Sequence, residues 1–409
     1  MRVSVITFAP FITAQNKQRV TQMMRDKTLL GLNLSVFLMM IGVGMIVALL
    51  PQRIIELDGS GQNVGYLASM FAIAYIVLQV PVGTMADRFG FKLFLVIGYV
   101  LCFLTGLCFY FSNSSMTIFL SRLLQGAGEA PIWALAPALL SVKYTSAKGS
   151  VMGSYNAVLH IGLTLGPILG IVLAGIWSPK SLFLLYAFAC LSGAFFTCWL
   201  VDDVRPAKKL AGSFNISGIL NLTKDSNVFL ALLGITLYGT GYGIFLTTMP
   251  AYLLQEKGFD ATYIGVFFSL FYVAISISQV ITGRLSDRFG PNIFMVFGLM
   301  LASLGLAITP FLDFIGILFM LTIASLGLGV FYLASMIFLN ETVDESFKGT
   351  ISGAYYLFWG IGMFFGPPAL SVISSCSGYT ISLTVYALLF IIVAVAMAIK
   401  IKPVLKKAG

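Results

Sequence analysis

Long apolar stretches, separated by short polar segments, dominate the pattern along this chain. A bilayer core about 30 Å thick is crossed by a helix of about 20 apolar residues, and twelve stretches reach that length. We therefore predict twelve transmembrane helices, called spans 1 to 12. Their predicted ranges are 29–50, 64–85, 93–111, 117–141, 149–176, 181–201, 227–254, 263–285, 293–311, 315–339, 349–372 and 379–401.

The longest polar segment between two spans divides the twelve into six and six. It runs from Asp202 to Ser226. Each group of six is long enough to form a helical bundle, so the chain is predicted to fold as two bundles joined by a linker. The predicted parts are a terminal segment over 1–28, an N-terminal bundle over 29–201, a linker over 202–226, a C-terminal bundle over 227–401 and a tail over 402–409.

An internal repeat relates the two groups at an offset of 200 residues. The segment from Gly83 to Gly90, GTMADRFG, matches the segment from Gly283 to Gly290, GRLSDRFG. Two six-helix halves with the same orientation are the parallel repeats of one architecture of secondary transporters. The predicted fold class is therefore an all-α membrane protein with twelve transmembrane helices in two pseudo-symmetric six-helix bundles.

The basic residues are divided unequally between the two sides of the predicted membrane. The termini, the linker and the connections on their side hold 20 of the 24 lysines and arginines. The opposite connections hold Arg53, Lys180 and Lys257, and one arginine lies inside a span. Basic loops stay in the cytoplasm, so we expect a multi-pass protein of the plasma (inner) membrane with both termini cytoplasmic.

The composition excludes a soluble protein and several kinds of site. Only 10% of the residues are charged, against about 25% in soluble domains. The net charge of +9 comes from loops, so nucleic acid is not an expected partner. The five cysteines lack disulfide or zinc spacing, and no glycine loop with its lysine would bind ATP. We expect no enzymatic activity, no cofactor and no metal.

Three ionisable residues lie inside predicted spans and away from the span ends, where they are costly and therefore point to function. Arg122 lies about 7 Å and Glu129 about 18 Å along span 4, since a helix rises about 1.5 Å per residue. Glu129 is thus close to the midplane of the membrane. His160, the only histidine, reaches a similar depth on span 5.

Helical spacing arranges these residues into two polar stripes. Each stripe combines an ionisable group with amides, hydroxyls or an aromatic ring, and a third stripe on span 5 carries only small residues. The stripe on span 4 is Arg122, Gln125, Glu129 and Trp133. The polar stripe on span 5 is Asn156, His160 and Thr164. The small stripe lies on the opposite face and is Gly162, Gly166, Pro167 and Gly170. The repeat counterparts of its first three residues are Gly362, Gly366 and Pro367.

The repeat predicts that the charges are confined to the first half. Applied inside spans 4 and 10, the offset of 200 pairs Arg122, Gln125 and Glu129 with Thr322, Ser325 and Gly329. The chemistry of protons or substrate is therefore predicted in the first half, and aromatic rings and hydroxyls in the second. The expected lining residues of the second half are Tyr238, Tyr242, Tyr272, Tyr332, Tyr355 and Trp359.

Three motifs resemble those of the major facilitator superfamily, and the resemblance extends from about residue 28 to 402. The loop between spans 2 and 3 resembles the superfamily's signature, which ends in two basic residues. Phe91 stands at the first of these two positions. The span 4 motif is similar to that of proton-coupled members. The span 5 motif is similar to that of antiporters, except that Ile171 replaces the second glycine. The motifs are Gly83-x3-Asp87-Arg88-x-Gly90-x-Lys92, Arg122-x2-Gln125-Gly126-x-Gly128 and Gly162-x3-Gly166-Pro167-x2-Gly170.

The resemblance implies roles for the loops and for the glycine stripe. In the superfamily, the loop forms a gate on the cytoplasmic face, and the stripe packs across the interface between the halves. Without the family, the same glycines predict only close helix packing. The expected gate residues are Gly83, Asp87, Arg88, Gly90, Lys92, Gly283, Asp287, Arg288 and Gly290.

The three buried charges each admit two interpretations. Glu129 either binds and releases protons as the cavity changes sides, or forms a permanent pair with Arg122 or His160. Arg122 either takes part in proton coupling or holds an anionic substrate. His160 either takes part in coupling or makes an interhelical hydrogen bond.

The first functional prediction is proton-coupled efflux of a small amphipathic organic molecule, cationic or neutral. A carboxylate surrounded by aromatic rings attracts such a cargo through its charge and through cation–π contact. One alternative is a transporter of organic anions that uses Arg122 as the anchor. Another is a membrane sensor or scaffold that does not transport. The expected partners are the organic substrate, protons and the lipid bilayer, and the expected state is a monomer.

Overall fold

The computed structural model of the chain describes residues 26–144, 148–203, 221–343 and 348–401. Most of the predicted terminal segments and linker lie outside these ranges, so the domain boundaries stay predictions. The side chains of Asp87 and Asp287, two of the expected gate residues, also lie outside the described part. Helices joined by short connections make up the described ranges, which contain no strand.

Twelve helical passes follow one another in the described residues. Span 1 is interrupted at Ala48 and span 7 at Thr247, so each of these spans consists of a long and a short helix. The passes are, in order, Lys27–Val47 with Leu49–Asp58, Tyr66–Phe89, Phe91–Phe111, Ser115–Lys143, Lys148–Ala174, Ser181–Leu200, Ser226–Leu246 with Thr248–Gln255, Ala261–Phe289, Pro291–Ile308 with the 3₁₀ turn Thr309–Phe311, Phe314–Thr342, Lys348–Ser377 and Tyr379–Lys400.

Short polar side chains and glycines set the ends of these helices. Asp26 caps span 1 by accepting from the Thr28 amide at 2.8 Å, and Asp260 caps span 8 by accepting from the Tyr263 amide at 2.9 Å. Spans 2 and 8 both end at a glycine, Gly90 with φ 94° and Gly290 with φ 82°. Only glycine adopts such angles readily, so the matching loops turn sharply at matching places.

Eleven of the described helices are long and apolar enough to cross a membrane. Span 4 is the pass that is missing from this set. Its 29 residues exceed the necessary length, but they include two prolines and the polar stripe of Arg122, Gln125 and Glu129. Polarity therefore separates span 4 from the others, and its packing among them completes the fold of twelve spans predicted from the sequence.

The two halves are built alike. In the first half, span 1 packs on spans 5 and 6, span 2 on span 4, and span 3 on spans 4 and 6. Spans 7 to 12 repeat these contacts in the second half. The halves meet through span 5 against span 8 and span 2 against span 11. In the latter interface the Ser69 hydroxyl donates to the Phe364 carbonyl at 2.5 Å.

The glycine stripe of span 5 packs on span 1 of the same half. A Cβ on Gly162 would lie 2.9 Å from the carbonyl oxygen of Phe37, and one on Gly166 would lie 2.6 Å from that of Ile41. Gly170 approaches Met45 in the same way. The stripe thus brings two backbones together inside one bundle, and not across the interface of the halves, as the family resemblance implied.

The register of the repeat inside spans 4 and 10 differs from the predicted one. A Cβ on Gly98 would lie 2.6 Å from the Gly128 carbonyl oxygen, and one on Gly298 would lie 2.8 Å from that of Gly327. Gly128 and Gly327 are therefore equivalent, at an offset of 199. The pairing of Arg122, Gln125 and Glu129 with Thr322, Ser325 and Gly329 was wrong by one residue. The connection before span 4, 112–114, is one residue longer than its counterpart, 312–313, and the loop after span 4 is one residue shorter than its own counterpart, which restores the offset of 200. The true counterparts are Leu321, Ala324 and Leu328.

The two sides of the molecule differ in how closely the halves approach. We call the side of residues 26 and 401 the terminal side and the other the far side. On the far side, a Cβ on Gly65 would lie 2.8 Å from the Pro367 backbone, and one on Gly61 would lie 3.2 Å from Ala251. On the terminal side, no described atom lies within 4 Å of a Cβ on Gly83 or Gly153. The halves are therefore closed together on the far side.

Candidate functional site

The polar stripe of span 4 forms one continuous chain of hydrogen bonds. Arg122 donates from Nη1 to Oε1 of Gln125 at 2.7 Å. Gln125 donates from Nε2 to Oε1 of Glu129 at 2.9 Å, and Trp133 donates from Nε1 to Oε2 of Glu129 at 3.0 Å. Side chains three and four residues apart are neighbours on a helix, which is why one span can hold the whole chain.

Arg122 is held by span 2 as well as by its own helix. Its Nε donates to the carbonyl oxygen of Leu67 at 3.0 Å, and its guanidinium lies 4.7 Å from the centre of the Phe71 ring. Its exposed fraction is 7%. The guanidinium thus satisfies part of its hydrogen-bonding capacity and stacks on an aromatic face, as arginine commonly does when buried.

Glu129 receives only neutral donors. It is 4% exposed, and among the described residues it forms no ion pair within 4.0 Å. The side chain of Gln125 lies between Glu129 and Arg122. The pair of Glu129 and Arg122 that the sequence suggested is therefore not a direct ion pair, and Gln125 bridges it through two hydrogen bonds. A carboxylate has about four acceptor positions, and two named donors leave room for a further donor or a cation.

A series of aromatic rings connects Arg122 with the second half. Phe71 stacks on Tyr75 at 5.6 Å, and Tyr75 meets the edge of Trp359 on span 11 at 5.6 Å. Trp359 and Tyr242 lie 6.1 Å apart. These spacings suit favourable offset and edge-to-face contacts. The rings therefore cross the interface between the two halves close to the stripe of span 4.

The second-half residues expected to line the site come together in one cluster. Tyr238 lies 6.1 Å from Tyr242 and 5.3 Å from Tyr332, and Tyr332 lies 5.8 Å from Tyr355. Tyr272 lies within hydrogen-bonding range of Tyr242. Tyr242 and Tyr272 also lie within electrostatic range of Glu129. The carboxylate of the first half thus lies near hydroxylated rings of the second.

The polar stripe of span 5 does not join the hydrogen-bond chain of span 4. The His160 side chain lies within hydrogen-bonding range of Gln279 on span 8, and its Nδ1 is buried without a partner among the described residues. Thr164 is half-buried and Asn156 is exposed. His160 therefore contacts the other half of the molecule, which agrees with the interhelical hydrogen bond considered from the sequence.

Span 2 supplies residues that sequence reasoning missed. They are the carbonyl group of Leu67 and the rings of Phe71 and Tyr75. One signal was available, because Phe71, Tyr75 and Gln79 are spaced by four residues and so share one helix face. That face combines two aromatic rings with the one amide side chain of span 2.

The arginines of the two loops expected to form the gate lie on their neighbouring rings. Arg88 is 5.3 Å from the centre of Phe89, and Arg288 is 5.1 Å from that of Phe289. Neither forms an ion pair with a described acid, and Lys92 is half-buried. A Cβ on Gly90 would collide with the carboxylate of Asp203, so the loop also packs closely on the end of span 6.

Comparison with known proteins identifies relatives of the whole chain. The sequence model of the Major Facilitator Superfamily matches residues 32–367 and 231–408. An uncharacterized MFS-type transporter of Methanocaldococcus jannaschii is 23% identical over 390 residues, which are 92% of this chain and 99% of the relative. Multidrug resistance protein 1 of Bacillus subtilis is 25% identical over 346 residues, 84% of this chain and 88% of the relative.

Other similarities are partial or concern the fold alone. The chromaffin granule amine transporter of Rattus norvegicus is 28% identical over 262 residues, which span 63% of this chain and 50% of that protein. The structure of the nucleoside transporter NupG has a TM-score of 0.75 at 15% identity and covers 92% of this chain and 100% of its own. A bacterial homologue of the human lysosomal transporter Spinster, solved inward-facing and occupied, has a TM-score of 0.74 at 17% identity and covers 91% and 95%.

Proposed function

Because this chain belongs to the Major Facilitator Superfamily, we propose that it exports a small amphipathic organic molecule, cationic or neutral, in exchange for protons. The two halves would rock about the midplane and expose the site to one side at a time. The structure's contact on the far side and its open glycines on the terminal side correspond to one of these two arrangements. In this proposal the terminal side faces the cytoplasm, and the protein works as a monomer in the plasma (inner) membrane.

The environment of the Glu129 carboxylate is the main support for this proposal. Its carboxylate is buried and, among the described residues, accepts hydrogen bonds from Gln125 and Trp133 alone. It also lies close enough to Tyr242 and Tyr272 of the second half for an electrostatic interaction. A proton and an organic cation can each neutralise it, so the two compete for one group. Competition of this kind exchanges protons for substrate, because release of one is required for binding of the other.

The aromatic rings favour an amphipathic cargo. Tyr75, Tyr242 and Trp359 offer apolar area together with electron-rich faces, which attract a cation when it is desolvated. Two relatives agree with this class by name, since one is a multidrug resistance protein and another an amine transporter. Their similarity supports the class of cargo and does not identify a compound.

An organic anion held by Arg122 is the second candidate function. A buried guanidinium is the best single argument for it. Arg122 already donates to Leu67 and Gln125 and stacks on Phe71, however. Free hydrogen-bonding capacity does not decide between the two, because about three donors of Arg122 and about two acceptor positions of Glu129 have no named partner. The cationic or neutral cargo is preferred because Glu129 lies near tyrosine rings of the second half, whose faces attract a cation.

The test measures proton movement in proteoliposomes that contain a pH-sensitive dye. A panel of organic cations and anions is added to wild type, Glu129→Gln and Glu256→Gln. Glu256 is an exposed carboxylate at the far-side end of span 7, so its variant matches the chemical change away from the site. We expect an organic cation to move protons in wild type and in Glu256→Gln, and no movement in Glu129→Gln.

Each other outcome points to a different function. A signal with anions alone would overturn the proposal and favour Arg122 as the anchor, to be checked with Arg122→Gln. A cation signal that survives Glu129→Gln would move the coupling to another group. No signal with any compound in folded wild type would favour a sensor or scaffold that does not transport.

A further inference from the structure

A cavity outside the candidate site opens on the far side of the first half. It has a volume of about 220 Å³ and lies between the short far-side helix of span 1 and the beginning of span 6. Both apolar and charged side chains line it, so it is neither a purely greasy groove nor a purely aqueous cleft. The lining residues are Leu49, Gln52, Arg53, Glu56, Ser178, Pro179, Lys180 and Phe183.

Two cations line this cavity on a side of the protein where cations are rare. The connections on the far side contain only Arg53, Lys180 and Lys257 as basic residues. Lys257 has a structural role, because its Nζ donates to the carbonyl oxygens of Pro310 at 2.8 Å and Leu312 at 3.3 Å. The other two basic residues of that side both border the same cavity, which indicates a shared anionic ligand.

The cavity holds its cations in place without neutralising both. Lys180 lies 5.4 Å from the centre of the Tyr110 ring, a contact that leaves its ammonium hydrogens free for an anion. Arg53 pairs with Glu56 at 3.1 Å, and Gln52 donates to the same carboxylate at 3.1 Å. The two cations and one acid leave a net positive charge in the cavity.

The surroundings of the cavity indicate contact with lipid. Ile176 and Trp177, just before the lining residues Ser178 and Pro179, are 70% and 48% exposed. Tryptophan is enriched where the hydrocarbon core meets the headgroups, and an exposed isoleucine beside it suits acyl chains. The cavity therefore lies at the depth of the headgroups in the far-side leaflet.

We propose that this cavity binds the phosphodiester headgroup of a phospholipid of the far-side leaflet. Guanidinium and ammonium groups bind phosphate through charge-assisted hydrogen bonds. The volume equals that of about seven water molecules, which exceeds the need of a bare phosphate and admits a phosphodiester with a short headgroup. The acyl chains then run along Ile176 and the membrane face beside it.

The bound lipid would contact the closed side of the transporter. Leu49, Gln52, Arg53 and Glu56 belong to the short helix of span 1, which packs on the short helix of span 7 in the other half. A lipid that stabilises this helix favours the arrangement closed on the far side. This consequence does not depend on which substrate the protein carries.

The test titrates palmitoyl-oleoyl phosphatidylglycerol into delipidated protein in detergent and measures the bound lipid by native mass spectrometry and the Tm. Wild type is compared with Arg53→Gln/Lys180→Gln and with Lys27→Gln/Lys224→Gln, which removes two charges from the terminal side. A second titration uses inorganic phosphate alone. We expect lipid to raise the Tm of wild type and of the control, and affinity to fall about tenfold in the cavity variant, which corresponds to about 1.4 kcal/mol.

Three results would overturn the proposal. Inorganic phosphate that raises the Tm as much as the lipid does would identify a site for a free anion. Equal lipid affinity in wild type and the cavity variant would place lipid elsewhere. Absence of any lipid effect on wild type would show that the cavity binds no headgroup. A circular dichroism spectrum equal to that of wild type confirms that the cavity variant is folded.

Discussion

Spans 4 and 10 have the same architecture and different chemistry. Each is 29 residues long, Ser115–Lys143 and Phe314–Thr342, and each packs on the two preceding spans of its half. Gly128 and Gly327 make the same close approach to the span before. Span 4 nevertheless carries two buried charges, and the equivalent positions of span 10 are leucines. The two halves therefore share the packing of these spans, and only the first half carries the buried charges in them.

The polar groups of the two spans find their partners in different ways. In span 10, Thr322 donates to the carbonyl oxygen of Leu318 at 2.7 Å and Ser325 to that of Leu321 at 2.6 Å, both within the helix. In span 4, side chains bond to one another and to span 2. Both spans are densely packed, so space does not distinguish them. A buried carboxylate is possible at position 129 because Gln125 and Trp133 donate hydrogen bonds to it.

The largest effect is expected when the carboxylate is placed in the second half instead of the first. Leu328 is the counterpart of Glu129 and is fully buried. Nearby, the Tyr386 hydroxyl already donates to the Leu237 carbonyl at 2.5 Å. Ala324 stands where span 4 has Gln125, so a carboxylate at position 328 would lack that donor, and Leu328→Glu should destabilise the protein by about 2.5–3.5 kcal/mol. The Tm in detergent and the yield of monodisperse protein measure the loss.

A matched substitution separates charge from shape in this experiment. Leu328→Met keeps a similar volume without a polar group and should cost less than about 1.5 kcal/mol. If Leu328→Glu were as stable as Leu328→Met, span 10 would tolerate a carboxylate without dedicated donors. The donors Gln125 and Trp133 would then not be what permits a buried carboxylate in span 4.

The membrane made the arrangement of spans predictable from the sequence. Span 3 was predicted at 93–111 and is Phe91–Phe111, because the apolar length needed to cross a bilayer fixes both ends. Span 1 was predicted to end at 50. It continues after a break at Ala48 to Asp58, because a helix can extend beyond the membrane into polar residues such as Arg53. Apolar length alone does not report such an extension.

The site was predictable only within a single helix. The spacing of Arg122, Gln125, Glu129 and Trp133 follows from helical geometry, and their hydrogen bonds confirm that they share one face. The partners on span 2 depend on the register between two helices, which spacing along one chain does not determine. The one-residue error in the counterpart of Glu129 has a similar origin. A longer connection before span 4 and a shorter loop after it shift the register of this one span, and the apolar pattern does not show the shift.

Removal of the bridge in span 4 is expected to have an intermediate effect. Gln125→Leu takes an acceptor from Arg122 and a donor from Glu129 while it keeps a side chain of similar size. Leaving buried groups unsatisfied costs about 1–3 kcal/mol, and we expect both the Tm and substrate-driven proton movement to fall. Ser325→Ala is the control in span 10, because its hydroxyl bonds only to its own helix. Equal losses in the two variants would show that the bridge has no special role.

A smaller asymmetry distinguishes the caps of spans 1 and 7. Both begin after an aspartate that accepts from a backbone amide, Asp26 from Thr28 and Asp225 from Asn227. Asp26 also accepts from Lys143 at 3.2 Å and from the Tyr144 hydroxyl at 2.5 Å. Lys143 donates to Asp202 as well, at 2.7 Å. Among the described residues, Asp225 has no such ion pair.

This cluster predicts that the first half is sensitive to acid. Burial raises the pKa of Asp26, but the hydrogen bond from Tyr144 and the ammonium of Lys143 outweigh burial and hold that pKa below its ordinary value. The hydrogen bond from Lys143 likewise lowers the pKa of Asp202. Carboxylates with a lowered pKa stabilise the fold above their unfolded pKa, about 3.9, and lose this contribution as the pH falls through the folded value.

Lys143→Met should therefore cost about 1 kcal/mol or less at neutral pH, since the ion pairs are partly exposed. The difference in Tm from wild type should be constant from pH 7 to about pH 5 and should shrink below about pH 4 as the aspartates become protonated. Asp225→Asn, at the equivalent cap, tests whether the acid sensitivity is peculiar to the first half. If its difference in Tm followed the same course with pH, ordinary helix capping would account for the effect. The cluster around Lys143 would then contribute nothing beyond what the two halves share.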